Sequence, residues 1–167
     1  MSGESVLLNS GKAPFVQDER DSAETDIYGG NFLTTDSNGE VSKTSGEAST
    51  GEGTIADVDS FDPDVDKGED LTSGNAGERI RTQEVPVGGQ LDARLIAGGD
   101  LTTAANANIT EGDLLVESDL GALAAFSSAE TSGTPEGALY RALESVDNSG
   151  AAAGVSNQTY INVERIA

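Results

Sequence analysis

Thr159-Tyr160-Ile161-Asn162-Val163-Glu164-Arg165-Ile166 puts Ile161 and Val163 on one side and Tyr160, Asn162 and Glu164 on the other, the period of a half-buried strand. A second apolar run, Ala138-Leu139-Tyr140-Arg141-Ala142-Leu143-Glu144-Ser145-Val146, precedes it across a loop of Gly, Ala, Ser and Asn. Together the two runs read as a closing β-hairpin. Leu139, Leu143 and Val146 also fall at helical spacing, and Thr134-Pro135-Glu136 looks like a helix start. Spacing alone therefore leaves residues 138–147 open between strand and short helix. Neither run carries residues that point to chemistry.

Working outward, the composition points the same way. Leu, Ile, Val and Phe make up 35 of 167 residues, close to the level below which highly charged chains stay disordered. The core must be thin. With 21 Gly and only 4 Pro, the apolar residues fall in short islands, which favours many short strands over helices. The length suits one domain or two small lobes.

Charge is the strongest signal. Asp and Glu number 30 against 9 Lys and Arg, for a formal net charge of -21. Such self-repulsion opposes compaction at ordinary ionic strength, but screening shortens its reach to about 3 Å at about 1 M salt. The chain reads as a halophile's protein whose acidity solvates its surface. Nucleic-acid binding is not expected, because a polyanion needs a basic patch and the six arginines are scattered. With no Cys and no His, disulfides, thiol nucleophiles, Cys/His zinc sites and imidazole-based triads are excluded. No apolar stretch approaches the roughly 18 residues of a membrane span, and Met1-Ser2-Gly3-Glu4-Ser5-Val6 lacks signal-peptide character. No membrane partner and synthesis in a cytoplasm are the expectations.

Residues 1–26 offer two apolar islands, Val6-Leu7-Leu8 and Phe15-Val16, and too little apolar surface to bury themselves. They are expected to form an extended arm that pairs with the domain or with a neighbouring molecule. Further on, Ile27 to Thr35 is a strand candidate, and Asn38-Gly39 is a hairpin-turn signal because both residues tolerate positive φ. Thr54 to Phe61 alternates as a strand with one wet face. The acidic loop after it contains Asp62, Asp64 and Asp66, weak candidates for calcium. EF-hand spacing fails there, since the glycine arrives one place late at Gly68 and Ser73 stands where the bidentate Glu belongs.

Glu78 to Val87 and Gln90 to Ile96 are further strand candidates around a Gly88-Gly89 turn. Arg79, Arg81 and Arg94 read as cross-strand partners for carboxylates. Ile109 to Val116 places a Gly-Asp turn before a strand, and Ala122 to Phe126 is another island. Short echoes between the halves, such as Gly29-Gly30 and Gly98-Gly99, raise the option of two related β lobes, residues 27–87 and 88–167.

The run from Gly137 to Asp147 has the form "G-x-A-x-x-A-L-E-x-V-D" only loosely, yet with the small-residue loop and the last alternating strand it resembles the carboxyl-terminal hairpin of small head decoration (capsid cement) proteins of tailed viruses. Val87-Gly88-Gly89-Gln90-Leu91, Gly98-Gly99-Asp100-Leu101 and Ile109-Thr110-Glu111-Gly112-Asp113-Leu114-Leu115 are similar to their "G-x-x-L-x-x-G" and "G-D-x-V" patterns. The resemblance covers residues 80–166. The long acidic first half departs from the shorter members and leaves the number of lobes open.

The resemblance implies strand over helix at residues 138–147, and an all-β domain overall. That domain would be a small sandwich or barrel of short antiparallel strands with long acidic loops and the N-terminal arm. It implies a virion structural protein, not an enzyme, on the capsid exterior, made in the host cytoplasm and often trimeric. Its partner would be the major capsid protein, with Val6, Leu7, Leu8, Phe15 and Val16 at the contact and no cofactor or metal. The alternative is a halophilic cell-surface or adhesin-type β domain that binds calcium. Carboxylate-only catalysis would need two carboxylates in a cleft, and thirty undistinguished ones are on offer.

Overall fold

The structure, a computed structural model, describes residues 7–9, 17–21, 23–24, 26–45, 52–56, 79–126 and 137–167. Among the described residues thirteen strands follow one another: β1 Leu7–Asn9, β2 Gln17–Asp21, β3 Phe32–Thr35, β4 Val41–Lys43, β5 Thr54–Ala56, β6 Arg79–Glu84, β7 Gln90–Leu95, β8 Asn108–Ile109, β9 Leu114–Glu117, β10 Leu123–Ala125, β11 Leu139–Ala142, β12 Val146–Asp147 and β13 Thr159–Arg165. Helical structure among the described residues is confined to single 3₁₀ turns, as at Gly98–Asp100 and Asp119–Gly121. The fold is all-β.

Five strands close into a barrel in the ring order β7, β10, β9, β11, β13 and back to β7. Four of the five seams are antiparallel, and the fifth, β7 with β10, is parallel and rests on the single pair Leu95 and Leu123. The hairpin expected at the end of the chain is real, with Tyr140 opposite Arg165 and Ala142 opposite Val163. Period-two alternation decides residues 138–147. Tyr140 and Ala142 point inward and are fully buried, Arg141 points outward, and the chain bends before Val146, so the helical spacing of Leu139, Leu143 and Val146 never forms a face. The alternation of β13 also holds, with Ile161 and Val163 inside and Tyr160 outside.

β8 and β12 form a two-stranded ribbon, and a further sheet is open and antiparallel, in the order β2, β6, β5, β3, β4. Its β3–β4 turn differs from a two-residue Asn-Gly hairpin. Only Gly39 takes a positive φ, of 84°, and the turn spans residues 36–40, with the Asp36 carboxylate accepting the Asn38 and Glu40 amides at 2.8 and 3.0 Å. An Asp side chain that captures backbone amides two and four residues on favours the longer loop. Gly29-Gly30 lies in the turn before β3, whereas Gly98-Gly99 opens a 3₁₀ turn.

The barrel and the open sheet share one core. Phe32, Ile55 and Val85 pack with the barrel's inward residues Leu91, Leu95, Leu115, Leu123, Tyr140 and Ile161, so the open sheet stops one mouth of the barrel. The Phe32 and Tyr140 rings meet at 5.1 Å, tilted by 55°, a favourable aromatic geometry. A smaller cluster, Ile27, Leu33, Val41 and Ala56, occupies the opposite face of the open sheet.

Polar groups lock the joint. Asn31, fully buried, donates from Nδ2 to Gln158 Oε1 at 2.9 Å and to the Gly121 carbonyl at 3.2 Å, while its Oδ1 accepts the Tyr28 amide at 2.9 Å. Thr44 donates from Oγ1 to the Ser118 carbonyl at 3.0 Å and its own carbonyl accepts the Gly121 amide at 3.1 Å. Gly121 is confined to this role: at φ 66°, a Cβ there would stand 2.7 Å from the Phe32 carbonyl oxygen. Each buried group left without its partner costs about 1–3 kcal/mol. Asn31→Ala should therefore lower stability by about 3 kcal/mol and the melting temperature by roughly 6–12 °C, read by circular dichroism. Asn38→Ala on the exposed turn should move it by less than about 2 °C.

Candidate functional site

The barrel strand β7 organises the surface where the arm arrives. One edge is covered along its whole length by β13, from Glu164 opposite Gln90 to Thr159 opposite Leu95. The other edge is shared. β1 of the arm pairs there at Gln90 and Leu91 with an irregular register, the Gly30 carbonyl accepts the Arg94 amide at 3.2 Å, and the Ile96 amide donates to Leu123 at 2.9 Å. The arm thus meets the barrel by strand addition. Leu7 and Leu8 lie in β1. Val6, Phe15 and Val16, and the calcium candidates Asp62, Asp64 and Asp66, lie outside the described residues. Among the described residues no group of three His, Cys, Asp or Glu could hold a metal ion.

Beside β1, the outward face of β7 and β13 carries a stacked cation. Alternation turns Arg94 outward opposite Tyr160, and the turn before β3 brings up Tyr28. The guanidinium carbon lies 4.3 Å from the Tyr160 ring centroid and 5.3 Å from that of Tyr28. Nε donates to the Gly29 carbonyl at 3.0 Å and Nη2 to Tyr160 Oη at 2.9 Å. Tyr160 Oη in turn donates to Gly29 at 3.3 Å. In the strand register the residue opposite Arg94 is Tyr160. Arg81 and Arg79, by contrast, stand opposite Glu19 and Asp21 in the β2–β6 register.

Three large apolar side chains stay exposed among the described residues. Tyr160 remains 44% exposed, Leu114 39% and Val87 59%, the last at the tip of a turn closed by the Gly89 amide on the Pro86 carbonyl at 2.8 Å. Tyr160 had a signal in the sequence, since it is an aromatic on the wet side of an alternating strand. Val87 had a weaker one, an apolar residue inside a Pro-Val-Gly-Gly turn.

No protein-family model matches the chain, and no curated protein matches it. The geometry of the stack makes its own prediction. Arg94→Ala removes the cation and leaves the buried Gly29 carbonyl short of a donor, and should cost about 2–3 kcal/mol in chemical denaturation. Arg94→Lys should restore less than half, because an ammonium cannot both lie flat on the ring and donate from a planar fork.

Proposed function

We propose that this protein is a virion structural protein that binds the outer surface of an icosahedral capsid and bridges neighbouring major capsid proteins, acting as a homotrimer. The observation that carries this reading is the way the arm engages. Leu7–Asn9 adds to the barrel at β7 and Gln17–Asp21 adds to the open sheet at β6, so both of these stretches engage by edge pairing, the general means by which an extended segment joins one chain's sheet to another's. The resemblance of residues 80–166 to head decoration proteins supplies the partner.

A capsid cement must hold by many small contacts. Each attachment is weak, and symmetric repetition raises the effective concentration of the next. Three separate apolar points on an acidic surface, Val87, Leu114 and Tyr160, suit shallow contacts rather than one deep pocket. Molar salt, which the net charge of -21 makes the natural medium, weakens charge steering and leaves apolar contact as the usable attraction.

Co-sedimentation with halophilic virus capsids stripped of their decoration, in molar salt, tests the reading. The full chain should bind saturably at a ratio that fits threefold positions, and a variant lacking residues 2–17 should stay in the supernatant while keeping its β-type circular dichroism. Absence of binding by folded full-length protein would overturn the proposal, and calcium titration of the acidic loop would then test the cell-surface alternative.

A further inference from the structure

The inner face of the barrel ends in three groups that differ from the rest of its lining. Leu123 stands opposite Glu117, and Tyr140 stands opposite both Leu115 and Arg165, so Glu117, Tyr140 and Arg165 share the inward side at one mouth. Glu117 and Tyr140 are fully buried. Neither carboxyl oxygen of Glu117, nor Tyr140 Oη, has a hydrogen-bond partner among the described residues. An ionised carboxylate in such a place lacks solvent, so the neutral form is favoured.

The groups around Glu117 are few. From β13 comes Arg165, from β11 Tyr140, and from the segment before β5 come Glu52 and the Gly53 amide. The neighbour on β10, Leu123, does not titrate. Burial pushes the Glu117 carboxyl up to about 8, with Gly53 and Arg165 pulling it partway back and Glu52 adding to the rise. Burial, and then the Glu117 charge, likewise raise the Tyr140 phenol well above its ordinary range. Arg165 is already engaged. Its Nη1 donates to the Val85 carbonyl and its Nε to the Ala167 carbonyl. Its guanidinium lies over Gly53, where a Cβ would come within 2.2 Å of Nη1. Val85 and the Gly53 segment belong to the stopper of the barrel, since the Val85 amide donates to the Gly53 carbonyl at 2.8 Å.

We propose that Glu117 is a proton-operated latch on the joint between the barrel and the open sheet: protonated, it closes the mouth as a neutral group, and ionised, it competes with the Val85 carbonyl for Arg165 and loosens the stopper. The carboxyl has an ordinary value of 4.5 when unfolded and about 8 when folded. The folded form therefore holds a proton that the unfolded form releases between those values. The folding constant should fall about tenfold per pH unit from roughly pH 5 to pH 8 and level off above. A salt-bridged surface carboxylate does the reverse. Mutual repulsion of the acidic surface is largely complete by about pH 5 and is screened in molar salt, so the two effects occupy different windows.

The test is a carbon NMR titration of the Glu117 carboxyl in the full chain, together with unfolding from pH 5 to pH 9 for wild type and Glu117→Gln. A midpoint near 8, a wild-type folding constant that declines through the window, and a flat profile for Glu117→Gln are expected. The Gly121 amide, which bridges the joint to Thr44, should lose protection above the midpoint in wild type only. A midpoint in the ordinary carboxylate range would overturn the proposal, as would equal pH profiles for the two proteins. Should the variant fail to fold, the wild-type midpoint decides alone.

Discussion

Every buried backbone donor and acceptor must find a partner, and Gln90–Leu95 meets that requirement with only one full-length neighbour. β13 covers one edge through six consecutive pairs. The second edge is completed by the arm at Gln90 and Leu91, by the Gly30 carbonyl at Arg94, and by Leu123 at Leu95. Barrel closure, arm attachment and docking of the open sheet are thereby tied to a single strand. The Arg94 stack and the Asn31 amide reinforce the same place from outside and inside, so a loss at one piece of this edge is felt by the other two.

A thin core explains why the sheets are joined so closely. Domains of this size keep only about 5–15 kcal/mol of net stability. Phe32, Ile55 and Val85 belong to the open sheet and its exit yet are buried in the barrel's cluster. Each such side chain contributes roughly 1.5–3 kcal/mol by leaving water, so the three together are comparable to the whole margin. A barrel with its mouth open would lose that contribution and would also expose Glu117 and Tyr140. The polar groups at the mouth are thus held dry by the same residues that make the barrel stable.

Local pattern in the sequence accounts for the strands and not for their partners. The alternation in Gln90 to Ile96 and in Thr159 to Ile166 names the inward residues correctly, because period two is a property of one segment. The parallel β7–β10 contact has no local signature, since Leu95 and Leu123 meet only after the intervening chain has turned back. Asn31 is similarly silent about the joint: the acceptors of its Nδ2 lie 90 and 127 residues away. Glu117 did carry a signal, as the residue in phase with Leu115 on an apolar strand, and an acid at an inward position is the kind of local conflict that marks a special site. Of the expected contact residues, Leu7 and Leu8 have a backbone role in β1.

The proposed bridging role requires that barrel and open sheet behave as one cooperative unit. Native-state hydrogen exchange in rising guanidinium measures this directly, by comparing the Ala56 amide of the open sheet, bonded to Asn31 at 2.8 Å, with the Ile161 and Val163 amides of the barrel. All three should converge on one opening free energy equal to that of global unfolding. Exchange of Ala56 through an opening that leaves the barrel amides protected would contradict it.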